Sequence, residues 1–288
     1  MAELVYQTTR YLVLNHLLKV PGFNLLPWLV NHPKIHNFEW KQGETPASSP
    51  IFLTLVVTSY LSITLFISRS ASNRSFSTNP GLLRTIAALH NLILLSLSLI
   101  MAIGAALSIV MLSPTWDSVA CFPINTKPKG PLFFWVYVFY LSKIFEFMDT
   151  LLIILGNNSK RRLTFLHMYH HSTVVVMCYI GLYTAQSMFP GVLMTNSIVH
   201  VMMYFYYFLC TLGIRPRWKK FVTDCQIWQF FSSFGTMACI FYYHFTGTGC
   251  SGILGWCFDA VYIASLLVMF LDFHSKNYSN EDLKPKLN

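Results

Sequence analysis

Charge is what this sequence is short of. Only 11% of its 288 residues are Asp, Glu, Lys or Arg, and 54% are hydrophobic. Soluble domains carry about 25% charged residues, so the deficit excludes an ordinary water-soluble fold and predicts a chain that crosses a membrane repeatedly. The start, Met1-Ala2-Glu3-Leu4, lacks a basic region and a small-residue cleavage site, which argues against a cleaved signal peptide. An internal repeat and a low-complexity tract are also missing. Acidic residues number 11 against 20 basic, a net charge of +9. Such an excess suggests nucleic acid or anionic substrates only once it has been located along the chain.

What is present is a series of apolar runs long enough to span a hydrocarbon core of about 30 Å. They fall near 51–67, 85–112, 131–155, 163–184, 189–212, 221–246 and 253–273. The predicted fold class is therefore all-α and integral to the membrane, with seven transmembrane helices. Residues 1–49, interrupted by Pro21, Pro27 and Pro33, form a lead outside the membrane with an interfacial helix around residues 11–20. Residues 50–274 hold the spans and 275–288 the tail.

The connections alternate in charge. Arg69, Arg74 and Arg84, then Lys160, Arg161 and Arg162, then Arg215, Arg217, Lys219 and Lys220, then the tail lysines, fall in one set. The other set holds Lys127 and Lys129 and is otherwise bare of basic residues near 185–188 and 247–252. The positive-inside rule assigns the first set and the C-terminus to the cytosol, the second set and the N-terminus to the lumenal or outer side. The charge excess is thus accounted for by topology, and no nucleic-acid partner is expected. Of seven cysteines, Cys121 and Cys250 fall in connections on the non-cytosolic side, and they are predicted to form a disulfide.

Four runs carry polar side chains at helical spacing. Lys143, Glu146, Asp149 and Thr150 share a face of the third. His167, His170 and His171, at i, i+3 and i+4, share a face of the fourth. Asn196, His200, Met203 and Tyr207 form a stripe on the fifth, with Tyr204 beside it, and Thr223, Gln226 and Gln229 lie on the sixth. Ionisable groups within a bilayer are costly and usually functional. The third helix runs toward the cytosol and ends near Leu155, so Asp149 lies roughly 9 Å from that face. The fourth and sixth helices start there, which brings His170, His171 and Thr223 to Gln229 to a similar depth. Beyond them Val174-Val175-Val176-Met177 is apolar. A reactive layer under a basic mouth, with Lys160, Arg161, Arg162 and Arg217 at its rim, suits a substrate with an anionic head and a long acyl tail.

Taken in order, Lys143-xx-Glu146-xx-Asp149-Thr150, His167-xx-His170-His171, Asn196-xxx-His200-xx-Met203-Tyr204 and Thr223-xx-Gln226-xx-Gln229 resemble the fatty acid elongases of the endoplasmic reticulum. The resemblance covers about residues 50–275, and Asn31-His32-Pro33 to Phe38-Glu39-Trp40-Lys41-Gln42 is similar to plant-type members. It implies condensation of a long-chain acyl-CoA with malonyl-CoA to a 3-oxoacyl-CoA, carbon dioxide and CoA, with no cofactor and no metal. It implies that helices two to seven form a barrel of two inverted halves around an acyl tunnel. It also implies His170 as acyl acceptor, His200 as its partner across the tunnel, residence in the endoplasmic reticulum, and the reductases and dehydratase of the elongation cycle as partners, with homo-oligomers a further expectation. An imidazole can attack a thioester, and Asp149 or Glu146 can orient it. Lys284 and Lys286 resemble a dilysine retrieval signal. Two rival readings are a di-iron desaturase, which needs about eight histidines in several boxes where this chain has one cluster, and a heptahelical receptor or transporter.

Overall fold

The computed structural model describes residues 25–70, 79–112, 120–156, 163–187 and 189–278. The proposed interfacial helix, Lys160, Arg161, Arg162, and the tail lysines Lys284 and Lys286 lie outside the described residues. Among those described, the chain is helical throughout: α1 (Leu25–Asn31), α2 (Pro33–His36), α3 (Pro50–Ser70), α4 (Pro80–Leu112), α5 (Pro131–Phe145), α6 (Phe147–Leu155), α7 (Phe165–Tyr183), α8 (Phe189–Thr211), α9 (Lys219–Thr246) and α10 (Ile253–Tyr278). Proline opens α2, α3, α4 and α5, where its missing N–H is not needed by the helix. Asn79 caps α4 by accepting from Gly81 N at 3.0 Å, and Thr164 caps α7 by accepting from His167 N at 3.2 Å.

Four of these helices are long and apolar enough to cross a membrane: Pro50–Arg69, Pro80–Val110, Phe189–Thr211 and Ile253–Tyr278. The chain is a multi-pass membrane protein. Phe66, Trp228, Phe245 and Leu254 are each more than 70% exposed, an arrangement suited to lipid and costly in water. Serine and threonine within the helices bond back to the preceding turn, as Thr58 Oγ1 does to Thr54 O (2.6 Å) and Ser108 Oγ to Gly104 O (2.7 Å). Their hydroxyls therefore need no water.

Helix contacts run from α4 to α5, α5 to α7, α7 to α10, α10 to α9, α9 to α8, and α8 back to α4, while α3 rests on α6 and α7. The α4–α5 crossing is close at Gly104, where a Cβ would overlap the Trp135 indole. The third apolar run is two helices rather than one. It breaks at Glu146, whose carbonyl accepts from Asp149 N (3.0 Å), a three-residue step that tightens the turn.

At one end, three connections are knitted together. Cys121 and Cys250 are disulfide-bonded across 129 residues of sequence. Ser187 Oγ accepts from Phe122 N and donates to Ser251 O, both at 3.0 Å, while Ser251 N donates to Phe122 O at 2.8 Å. Gln186 Nε2 donates to Asp259 Oδ2 at 2.6 Å. At Gly252 the backbone takes φ +81°, and a Cβ would press on the Gln186 backbone, so two reasons require glycine. The described part of the lead, residues 25–49, is built into the core rather than standing off it. Leu29, Ile35 and Trp40 are buried, Phe38 stacks on Tyr137 at 5.2 Å, and Tyr179 OH donates to Ser48 O at 3.1 Å.

Candidate active site

Lys143 and Glu146, three residues apart at the end of α5, meet inside the bundle. Lys143 Nζ donates to Glu146 Oε1 at 2.7 Å, with the two side chains 1% and 2% exposed. The ammonium also lies 4.5 Å over the Phe139 ring. A dry ion pair is strongly held once both charges are in place, and losing either partner strands the other. From α8, His200 brings Nδ1 to 3.4 Å from both Lys143 Nζ and Glu146 Oε1. That nitrogen can accept from the ammonium or donate to the carboxylate, so its tautomer follows its choice of partner. Glu146 Oε2 is buried with no hydrogen-bond partner.

The three-histidine helix α7 packs directly against α5, which carries Lys143. The α7 rings are mutually packed. His171 lies 4.4 Å from His167 and 5.2 Å edge-on from His170, and its Nδ1 is buried without a partner. His167 bonds to α6. Its Nε2 shares a 2.9 Å hydrogen bond with Thr150 Oγ1, which in turn shares one of 3.0 Å with Tyr60 OH. The His170 carbonyl accepts from Tyr262 OH at 3.4 Å.

Asp149 does meet an imidazole, but one that the motifs do not contain. His90 of α4 lies with Nε2 at 2.9 Å from Asp149 Oδ1, and Tyr204 OH donates to Asp149 Oδ2 at 2.8 Å. Tyr204 is fully buried, and its ring stands 5.5 Å from that of His200. Sequence reasoning passed over His90. The available signal was a single ionisable residue inside the apolar run 85–112.

The remaining candidates are spread more widely. Asn196 Oδ1 is buried and unpartnered on α8. Tyr207, on the sequence stripe, is 39% exposed, with its ring 6.2 Å from Tyr204. Gln226 Nε2 donates weakly to Met203 Sδ at 3.5 Å, and Thr223 Oγ1 meets Tyr278 OH at 3.3 Å. The Gln229 carbonyl accepts from Ser232 and Ser233, and Arg217 is exposed. The hydrogen bonds of Gln226 and Thr223 thus join α9 to α8 and α10, and those at Gln229 stay within α9. An apolar groove of about 550 Å³ on α4, α8 and the start of α9, between Leu95, Met202, Phe205 and Trp218, is lined by none of the candidate residues.

A buried ammonium, a carboxylate and several imidazoles, some with unused nitrogen or oxygen atoms, can move protons and attack a carbonyl in a place water does not reach. Residues 45–286 match the GNS1/SUR4 family. The chain is 32% identical over 265 residues to fatty acid elongase A of Dictyostelium discoideum, covering 88% of this chain and 93% of that one. It is 27% identical over 268 residues to fatty acid elongase 3-like of Arabidopsis thaliana, 88% of this chain and 91% of the plant protein. A shorter stretch of 152 residues is 36% identical to very long chain fatty acid elongase 5 of Xenopus laevis, spanning 50% of this chain and 48% of the frog protein. With these four helix motifs in order and a family match running from the first span to the tail, the chain belongs to the GNS1/SUR4 family of fatty acid elongases.

Proposed function

We propose that this elongase carries out the condensing step, joining a long-chain acyl-CoA to malonyl-CoA as a very-long-chain 3-oxoacyl-CoA synthase. The observation that carries the reading is the dry contact of His200 with the Lys143–Glu146 pair, on a helix packed against the one that carries His170. Acyl transfer needs a nucleophile, a charge to hold the developing oxyanion, and exclusion of water from the intermediate. His170 attacks the thioester carbonyl, the C–S bond breaks, and CoA leaves as the thiol after taking a proton. Malonyl-CoA then loses carbon dioxide, and the electron pair left on its α-carbon attacks the acyl-imidazole. The C–N bond breaks, releasing 3-oxoacyl-CoA and the free imidazole. Lys143 stabilises the oxyanion, and His200, whose Nδ1 faces both an acid and a base, carries the proton. No cofactor or metal enters the scheme.

The cyclic order of contacts through α4, α5, α7, α10, α9 and α8 supports a six-helix barrel with α3 outside it. Counting α5 with α6 as one crossing gives seven spans with α3, α4, α7, α8, α9 and α10. The three crossings not among the four long apolar helices are those that carry Lys143 and Glu146, the three histidines, and Gln226. The acyl tail lies along the apolar interior past Val174, Val175 and Met177. In this reading, the knitted end is lumenal, the C-terminus is cytosolic, and the protein resides in the endoplasmic reticulum. Its product passes to the reductases and dehydratase of the cycle.

Purified protein in nanodiscs, given labelled malonyl-CoA and saturated acyl-CoAs of increasing length, is expected to form labelled 3-oxoacyl-CoA. No product at any chain length from a folded preparation would overturn the reading. Replacing Lys284 and Lys286 with Ser should release the protein toward the Golgi, and unchanged reticular staining would remove the retrieval signal.

A further inference from the structure

We infer that His90 is a positioning residue for this reaction, holding the His200 imidazole in place through Asp149 and Tyr204. The inference rests on the condensing reading above. Its carrier is a continuous path across three helices. His90 on α4 is 5% exposed, and its Nε2 lies 2.9 Å from Asp149 Oδ1 on α6. A carboxylate only accepts, so Nε2 bears the proton. The other oxygen of Asp149 takes the Tyr204 hydroxyl at 2.8 Å, and the Tyr204 ring stands 5.5 Å from His200 in a T-shaped arrangement.

With an oxygen tied to α4 and the other to α8, the carboxylate cannot turn about its own axis. The Tyr204 hydroxyl spends its proton on Asp149, so Tyr204 acts as a wall for His200 and not as an acid toward substrate. The path sits just after the helix break at Glu146. One residue along, Asn91 Nδ2 donates to Thr211 Oγ1 at 3.1 Å, a second tie between α4 and α8 that holds the His90 backbone in register. Without His90, Asp149 Oδ1 loses its partner in a side chain only 17% exposed. The carboxylate then rotates toward any donor within reach, drawing the Tyr204 hydroxyl with it and loosening the wall behind His200. A shift of about 1 Å in a reacting group costs on the order of 100-fold in rate. Because His90 does not touch substrate, the loss falls on kcat and not on KM.

The test uses full-length protein in nanodiscs, with kcat and KM measured for acyl-CoA and malonyl-CoA together with thermal melting. His90→Leu is expected to lower kcat roughly 10- to 100-fold with both KM values within about twofold. His90→Gln, whose amide can still donate to Asp149, should recover most of the loss. The double variant of His90→Leu with Tyr204→Phe should be no slower than the slower single variant, because both act through one carboxylate. Wild-type kcat in His90→Leu, no advantage of Gln over Leu, or losses that multiply in the double variant would each overturn the role. If His90→Leu does not fold, His90→Asn replaces it. Its shorter amide stops short of Asp149, so it should lose kcat while Gln keeps it, and equal rates for Asn and Gln would count against the proposal. Wild-type protein that makes no 3-oxoacyl-CoA would sink the condensing reading itself. Wild-type turnover matched by every His90 variant would sink only the role of His90.

Discussion

At the knitted end of the bundle, Cys121, Gln186, Ser187, Cys250 and Ser251 are tied largely to each other and to backbone carbonyls. Around the Glu146 break, the polar groups are titratable side chains arriving from α4, α5, α6, α7 and α8, and several of their atoms have no partner. The first arrangement fixes connections whose only demand is to stay shut. The second keeps charges and imidazoles close while leaving Glu146 Oε2, His171 Nδ1 and Asn196 Oδ1 available. Both are buried, so burial alone does not separate structure from chemistry. What separates them is the kind of side chain spent, since each end leaves buried acceptor atoms without a partner.

This contrast predicts that variants at the break lower turnover, whereas variants at the knitted end lower stability. The largest effect belongs to Lys143→Met. It strands Glu146 in a dry site, which should cost about 3–5 kcal/mol of stability, and it removes the oxyanion's partner, for a loss of roughly 1,000-fold in kcat. Melting and turnover on the same preparation measure both. Glu146→Gln combined with Lys143→Met should regain stability without regaining activity, since no bare charge remains.

An intermediate effect is expected for Cys121→Ser with Cys250→Ser. The disulfide closes a loop of 129 residues, and its removal should cost about 2–4 kcal/mol. At low temperature kcat should stay within about twofold of wild type, because no group at the break is touched. A large loss of kcat in a protein that still melts cooperatively would erase the division between the two ends.

The smallest effect is Asp259→Asn. Asp259 Oδ1 and Gln186 Oε1 are both buried without partners. An asparagine keeps an acceptor for Gln186 Nε2 and adds an amide that can donate to Gln186 Oε1. Stability should change by less than about 1 kcal/mol, whereas Asp259→Leu, which strands the Gln186 amide, should lower the melting temperature clearly.

Much of this division was legible in the sequence. Helical spacing places Lys143 one turn from Glu146, and the structure has them in contact. The alternation of charged loops put Cys121 and Cys250 on one side, and they are bonded. The break at Glu146 was not legible, since neither glycine nor proline marks it. His90 was missed because a lone histidine makes no pattern, and its partner is 59 residues away. How the lead packs is not legible in the sequence, because the aromatic anchors Phe38 and Trp40 depend on partners in α5 and α7. Tyr204, beside the stripe, is fully buried, whereas Tyr207, on it, is 39% exposed. One turn of helix separates a fully buried side chain from one at the surface, and spacing cannot say which side of a stripe faces inward.

The claim on which the account turns is that His170 carries the acyl group between the two half-reactions. Mass spectrometry of the segment Phe165–Tyr183 after treatment with acyl-CoA alone tests it most directly. The account predicts an added acyl mass on this segment, with release of CoA once per active site, its discharge as 3-oxoacyl-CoA when malonyl-CoA is added, and its absence from folded His170→Gln protein. An unmodified segment in a preparation that turns over, with no CoA released until malonyl-CoA arrives, would contradict it and would leave the histidines as acid–base groups in a direct condensation.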